Sequence, residues 1–434
     1  MSGLPEDGAR LPAAILAVGD ELLDGGQLDT NSTWLGARLA ERGWRVRSVT
    51  LLGDDEEAIA ARLGELARGA RLVILTGGLG PTLDDVTRQA VARATGRELR
   101  LDAGVVEEIR ARFHSVGREM APSNERQALV PEGAAILPNA VGTAPGFRLE
   151  HEGCWIVSLP GPPRELSHMV EEELLPWMAA AYPEAPPPRA ARFHLFGLPE
   201  SDFATRAGDW MARDAWPLMG VCASGRVLTV RIDGTGPKGS EADETFARRV
   251  ADFRERFAET IFSEEEPSTA VVLGRLLLAE GVSFACAESC TGGEIASRLV
   301  AVPGISAVLR EGFVAYSNEA KVARLGVDPA LLEAHGAVSA EVAAAMARGA
   351  AEVSGARLAL STTGVAGPGG GSEEKPVGLV HVGVALDGEV ATHELRLPPR
   401  GREIIRDWAA TSACELARRA LVRVLPGGPA SGTR

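Results

Sequence analysis

Short apolar runs alternate with stretches whose apolar residues fall four apart, and the pattern occurs twice along the chain. In the first half, Ala13 to Val18 reads as a strand that stops at Gly19-Asp20-Glu21-Leu22. A helix from Ser32 to Arg42 follows, with Leu35 and Leu39 on one face, and then a strand from Val46 to Leu52. The next helix spans Asp54 to Arg68, and Leu72 to Leu75 is a strand entering Thr76-Gly77-Gly78-Leu79-Gly80-Pro81-Thr82. Alternation of this kind predicts a parallel sheet covered by helices on both faces, with ligands gathering at the carboxyl ends of strands. In the second half, Val282 to Cys286 is a short apolar strand, and Gly292 to Val300 a helix with Ile295 and Leu299 four apart. Phe313 to Lys321 reads as a strand running into a polar turn, and Leu358 to Thr362 as another buried strand. A further strand alternates Val380, Val382 and Val384 with His381 and Gly383.

Between the halves, Arg192 to Phe196 and Val227 to Ile232 read as strands, and Pro199 to Arg213 and Ser240 to about Ala258 as helices. The fold class expected is α/β: two three-layer α/β domains joined by a small α+β linker domain. The boundaries fall at residues 1–180, 181–264 and 265–425, with a glycine- and proline-rich tail at 426–434. The proline-rich stretch at 185–189 marks the first boundary.

The chemistry concentrates where strands end. Ala287-Glu288-Ser289-Cys290-Thr291-Gly292-Gly293 places a hydroxyl between a buried strand and a glycine-rich helix start. Backbone N–H groups near Thr291, Gly292 and Gly293 could there hold an oxyanion or a phosphate. Downstream, Tyr316, Asn318 and Lys321 stand within six positions. A desolvated lysine or a tyrosine can take a proton from serine. Cys290 is the rival nucleophile, but its possible partners look structural: His335 at a helix end and His381 in mid-strand. The run from Thr363 and Gly364 through Gly367 and Gly369 lets backbone approach an anionic ligand closely. Arg402 and Arg406 open a later helix and are candidates for contact with phosphate or ribose. In the first half, Thr76, Gly77, Gly78, Gly80 and Thr82 form a phosphate-cradling loop, with Asp84 and Asp85 beside it able to bind a hard divalent cation. It is not a Walker loop, because no Gly-Lys-Ser/Thr follows.

Composition narrows the class. The 434 residues are 45% hydrophobic and 24% charged, as in globular proteins, and too many for one ordinary core. The five cysteines give neither a disulfide framework nor a zinc pattern. Net charge is −14, with no basic run, which argues against direct contact with nucleic acid. No apolar stretch is long enough to span a membrane and no targeting segment is evident, so a cytoplasmic protein is expected.

The segments AESCTGG, AYSNEAK, AHGAVS, TGVAGPGGG and EKPVG, in that order over about residues 268–424, resemble the nicotinamide-nucleotide amidohydrolase domain of the CinA family. The resemblance implies hydrolysis of the carboxamide of nicotinamide mononucleotide, with Ser289 as nucleophile, Lys321 and Tyr316 handling the proton, and no cofactor. Asn318 and Thr363 would meet the pyridine ring and the carboxamide. GDELLDGGQLDTN, TGGLGPTLDDVT, NERQALVPEGA, LPNAVGTAPGF and LPGPPREL, over about residues 11–175, resemble the molybdopterin-binding-like domain that opens CinA proteins. This second resemblance implies an ADP-ribose pyrophosphatase requiring a divalent metal (Mg, Mn or Co), with Asn31 among the nucleotide-binding residues. Its metal ligands would be Asp85 with Asp84 or Asp20. One departure stands out: the family's opening loop commonly reads GTELLLGQ, whereas Gly19-Asp20-Glu21-Leu22-Leu23-Asp24-Gly25-Gly26-Gln27 carries extra acid and glycine. The partners expected are small pyridine nucleotides and ADP-ribose, with a homodimer as the assembly. Two alternatives remain: a first domain that binds a nucleotide or pterin without catalysis, or a non-enzymatic partner of recombination machinery.

Overall fold

In the computed structural model, which describes residues 10–183, 185, 189–212, 214–235 and 239–425, the chain divides into two compact units. The prolines at 186–188, Arg213 and the tail at 426–434 lie outside the described residues.

Residues 1–189 with 234–243 make the first unit. Its main sheet contains β1 (Leu11–Val18), β2 (Trp44–Leu52) and β3 (Leu72–Thr76). A short antiparallel pair, β4 (Leu99–Leu101) with β5 (Leu129–Pro131), lies apart from it. β6 (Ala135–Leu137), β7 (Gly146–His151) and β8 (Cys154–Leu159) complete the sheet, whose order is β2-β1-β3-β8-β7-β6. The wholly parallel expectation holds only for β2-β1-β3-β8. β7 runs back against β8 through a tight turn at positive-φ Gly153, and β6 runs back against β7. β1 is buried along its whole length, and its residues alternate between two cores. Ala13 and Ile15 join one with Leu35 and Leu39, while Ala14, Leu16 and Val18 join the other with Ile59 and Leu63. Helix, sheet and helix therefore stack in three layers. Asp29 caps the helix Thr30–Ala40 and Asp55 caps Glu56–Ala67, each through its carboxylate, which sets both starts.

Residues 190–233 with 244–434 make the second unit. It contains an antiparallel sheet ordered β10-β11-β9-β12, from β9 (Ala190–Phe196), β10 (Leu218–Ser224), β11 (Val227–Asp233) and β12 (Ile261–Ser263). The helix Ser240–Arg256 brings Phe253 into its core, with Phe193, Phe203 and Phe257. β10 escapes the sequence pattern because its uncharged LMGVCAS run lacks apolar alternation. The helix predicted over 199–213 is shorter, Glu200–Ala207, followed by a 3₁₀ turn.

The second sheet has the order β14-β13-β15-β16-β17, from β13 (Phe284–Glu288), β14 (Leu309–Val314), β15 (Leu358–Gly364), β16 (Leu379–Leu386) and β17 (Glu389–Arg396). β14, β13 and β15 are parallel, and β16 and β17 antiparallel. One face packs Phe284, Leu360 and Val382 against the helices Thr269–Glu280 and Arg402–Val424. The other packs Ala285, Ala287 and Ala359 against the helix Ala340–Ser354. Small residues on that face let the helix come close, and Ser361 donates to the Ala343 carbonyl at 2.6 Å. The polar turn expected around Asn318 is instead the start of a helix, Asn318–Leu325, because the Ser317 hydroxyl accepts from the Ala320 N–H and caps it. Among the described residues no helix is long and apolar enough to cross a membrane.

Gly349 marks the closest approach in this layer: a Cβ there would lie 1.9 Å from the Leu325 carbonyl oxygen. Gly349→Ala is expected to destabilise the intact chain by about 1–3 kcal/mol, seen as a lower urea midpoint. An unchanged midpoint contradicts this packing.

Candidate active site

β13 is the middle of the three parallel strands and is buried at every position, so whatever follows it emerges at the carboxyl end of the sheet. Ser289 is the next residue, 9% exposed, with its N–H donating to the Thr362 carbonyl on β15 at 2.9 Å. One turn into the helix after β14, Lys321 is buried to 1% exposure and extends back toward it. Its Nζ reaches Ser289 Oγ at 3.1 Å and the carbonyls of Ala315 and Tyr316 at 3.0 Å each. Burial holds the Lys321 pKa below its ordinary value, against the opposing pull of the Glu319 carboxylate. A neutral amine has two hydrogens and one lone pair. In that form the Ala315 and Tyr316 carbonyls, with Ser317 at 3.5 Å, would take the hydrogens, and the lone pair would face Ser289 Oγ.

Tyr316 is placed differently from the expectation. Its side chain is exposed, and its hydroxyl accepts from Arg402 at 2.9 Å and has no bond to Ser289. Only its carbonyl takes part, on Lys321. Arg402 also donates to the Gly367 carbonyl at 2.9 Å, so it ties together the loops that follow β14 and β15. Arg406 donates to the Thr291 carbonyl at 2.8 and 3.2 Å, with Glu294 nearby at 3.7 Å. Asn318 is exposed at the helix start. Thr363 turns its hydroxyl to the Ala337 carbonyl at 2.6 Å, a fold-tying bond. Gly364 leaves room for the Leu379 carbonyl and Val380, whereas Gly369 faces open space.

The helix start departs most from expectation. The helix begins at Glu294, later than the sequence suggested, and its first N–H groups are already occupied. The buried Glu288 carboxylate accepts from Gly293 and Ile295 at 3.0 Å and from Ala296 at 2.9 Å. Gly293 therefore has no N–H to offer a ligand. In the loop beside the hydroxyl, the N–H groups of Cys290 and Thr291 face the Cys290 sulfur, a weak acceptor, and among the described residues no backbone carbonyl takes the Gly292 N–H. Sequence reasoning misses Glu288, for which the available signal is a carboxylate ending an otherwise apolar strand. Thr362 is a second omission: its hydroxyl pairs with that of Thr291 at 2.7 Å beneath the loop.

Cys290 is buried at 6% exposure, and burial pushes its thiol up to about 12, which keeps it a protonated thiol. His381 is buried on the opposite layer with its pKa lowered by burial, and the His335 carbonyl takes Lys375 Nζ at 2.5 Å. Neither histidine is hydrogen-bonded to Cys290.

In the first unit the glycine loop after β3 sits at the carboxyl ends of β1, β3 and β8. A cavity of about 370 Å³ there is lined by Val18, Asn31, Thr76, Gly77 and Gly161. Asn31 donates to the Gly161 carbonyl at 2.7 Å. A second hollow is lined by Glu21, Asp54, Gly78, Gly80, Thr82, Asp84 and Asp85. Gly77 takes φ +96, and a Cβ there would lie 2.1 Å from the Val18 carbonyl, so only glycine fits. Of the expected metal ligands, Asp85 with Asp84 or Asp20, Asp84 and Asp85 line the second hollow, but two of the three carboxylates are engaged elsewhere. Asp85 turns into its own loop, accepting from the Gly80 N–H at 2.7 Å, the Thr82 N–H at 2.8 Å and the Thr82 hydroxyl. That bonding commits its carboxylate and also removes the Gly80 and Thr82 N–H groups from a phosphate cradle. Asp20 instead pairs with Asp54, each carboxylate accepting from the other's backbone N–H at 3.1–3.2 Å. Burial, then Asp20, Glu21 and Asp84, hold the Asp54 pKa above its ordinary value. Among the described residues no three His, Cys, Asp or Glu side chains are close enough together to hold a metal ion. Beneath the loop, Arg88 is 2% exposed and donates to the Leu79 and Pro145 carbonyls, fixing the loop from below.

Comparison with known proteins defines the class. Residues 14–180 match the model of a probable molybdopterin binding domain, and residues 266–421 match the CinA C-terminal domain. Over 409 residues the chain is 43% identical to a CinA-like protein of Geobacter sulfurreducens, covering 94% of this chain and 99% of that one. A CinA-like protein of Anaeromyxobacter is 43% identical over 423 residues, covering 95% and 99%. The competence/damage inducible protein CihA from Agrobacterium tumefaciens has a crystal structure that covers 36% of this chain and 96% of its own, at 44% identity and TM-score 0.34. The chain belongs to the CinA family.

Iodoacetamide at neutral pH is expected to alkylate exposed Cys222 in the folded chain and leave Cys290 unmodified. Modification of Cys290 at a comparable rate contradicts the inert-thiol assignment.

Proposed function

We propose that the second unit hydrolyses the carboxamide of nicotinamide mononucleotide to nicotinate mononucleotide and ammonia, with Ser289 as nucleophile. The observation that carries this reading is the 3.1 Å contact between Lys321 Nζ and Ser289 Oγ at a buried site. Ser289 Oγ adds to the carboxamide carbon as its proton passes to Lys321 Nζ. Loop N–H groups from Cys290 to Gly292 stabilise the oxyanion. When the C–N bond breaks, Lys321 returns the proton to the departing nitrogen and ammonia leaves. Water then adds to the acyl-serine, giving one proton to Lys321. The C–Oγ bond breaks, that proton returns to Ser289, and the acid product departs, losing its remaining proton to solvent as carboxylate. Tyr316 has no proton to move in this scheme. Arg402 and Arg406, on the Gly367 and Thr291 carbonyls beside the loop, offer the cationic charge that a nucleotide phosphate requires.

Ammonia release from nicotinamide mononucleotide is expected in the wild type, with loss of at least about a thousandfold in Ser289→Ala and in Lys321→Arg. Arginine keeps the charge but cannot act as a base. Full activity in either variant contradicts the mechanism. The base must be neutral, and its pKa lies below the ordinary 10.5. Activity should therefore rise with pH through that lowered value and level off before 10.5. A profile still rising at the ordinary lysine value contradicts this.

For the first unit, a second reading rests on the crevice at the strand ends, where Asp84, Asp54 and Glu21 line a hollow beside the glycine loop. We infer that it takes a nucleotide diphosphate such as ADP-ribose, with Asn31 and Thr76 on the nucleotide side. Cleavage of ADP-ribose dependent on magnesium, manganese or cobalt supports a pyrophosphatase there. Binding with no turnover supports the non-catalytic alternative, which the inward-facing Asp85 favours.

A further inference from the structure

We propose that Glu288 is a positioning residue for the nucleophile, acting through the loop that it closes; this rests on the amidase reading above. Its backbone ends β13, and its carboxylate reaches past Ser289, Cys290, Thr291 and Gly292 to the start of the next helix. Oε2 accepts from the Gly293 and Ile295 N–H groups, and Oε1 from Ala296 and from the Cys286 thiol at 3.7 Å. At 1% exposure these bonds face no competition from water. One residue therefore grips the nucleophile loop at both ends. Between those ends, the Ser289 N–H is taken by Thr362, the Thr291 hydroxyl by Thr362, and the Thr291 carbonyl by Arg406. What the loop leaves for a ligand is the serine hydroxyl, held only by Lys321, and N–H groups at Cys290, Thr291 and Gly292 that no oxygen takes among the described residues.

Two consequences follow. The helix N-terminus, usually where an anion binds, is filled by the protein's own carboxylate, so substrate charge must be met by the loop and the arginines. The donors that would meet an oxyanion are also fixed before substrate arrives, which is where preorganised donors contribute most. A cap that served the helix alone would need only the ordinary local residue at Gly293. Ser268, Ser317 and Ser339 supply such local caps elsewhere in this unit.

The test compares the intact chain with Glu288→Gln, which keeps shape but presents an amide NH₂ to backbone donors, and with Ser268→Ala, which removes an ordinary cap. Two readouts are taken: kcat and KM for ammonia release from nicotinamide mononucleotide, and the rate at which a fluorophosphonate labels Ser289. In labelling, the Oγ–P bond forms, fluoride leaves and the serine proton passes to Lys321. We expect Glu288→Gln to lower kcat and labelling by roughly a hundredfold with KM within about twofold. Ser268→Ala should lower the unfolding midpoint and leave both rates intact. Wild-type rates in Glu288→Gln overturn the proposal, as does a loss that Ser268→Ala reproduces. If Glu288→Gln does not fold, Glu288→Asp, which keeps the charge and shortens the reach, is judged by the same kcat loss at retained KM. If the wild type labels at Ser289 but releases no ammonia, the substrate assignment fails and Glu288 is judged on labelling. If Ser289 does not label, both fail.

Discussion

A lysine that is 1% exposed has no water to hold its charge, and the arrangement of the second unit follows from how that cost is met. The backbone turn between β14 and the next helix presents the carbonyls of Ala315 and Tyr316 to Lys321 Nζ, while β13 brings up Ser289 Oγ. Among the described residues no carboxylate is hydrogen-bonded to the amine. A partner carboxylate would stabilise the ammonium form and remove its value as a base. Neutral oxygens satisfy the hydrogens while burial favours the uncharged amine. The same burial that keeps the Cys290 thiol protonated lowers the Lys321 pKa, because desolvation opposes charge on either group.

The loop holding Ser289 is rigid for separate reasons that converge. Glu288 closes it, Thr362 holds it from β15, and Arg406 draws in the Thr291 carbonyl from the long C-terminal helix. Three elements distant in sequence thus meet at four residues, and the sheet order β14-β13-β15 makes this possible. The first unit uses the same logic with a different outcome. Asp85 organises the glycine loop from within and Arg88 from below, so the loop is preformed at the expense of a free carboxylate.

Much of this was legible in the chain. Periodicity gave β1, β3, β13 and β15 to within a few residues, and the motifs placed Ser289 and Lys321 in one region before any coordinates. What escaped was set by contacts between distant segments. The one local sign of Glu288 is a carboxylate ending an apolar strand, and its bonds to Gly293, Ile295 and Ala296 are not visible from that segment, so the sequence reads the helix start too early. The Tyr316 hydroxyl looked available because Arg402, far along the chain, is invisible from the AYSNEAK segment. Asp84 and Asp85 read as a pair, yet loop geometry turns Asp85 inward and brings Asp54 toward Asp20 instead. β16 and β17 form a hairpin at Asp387-Gly388, where positive φ at both residues suits a tight turn that the valine alternation did not reveal.

Whether Lys321 is a base at all can be read directly by following its side-chain nitrogen by NMR as pH is raised, in selectively labelled intact protein. The account predicts that its titration midpoint falls below the ordinary 10.5, and that a resonance of a neutral amine is present where the enzyme is active. A midpoint at or above 10.5, with the amine protonated throughout the active range, would contradict it.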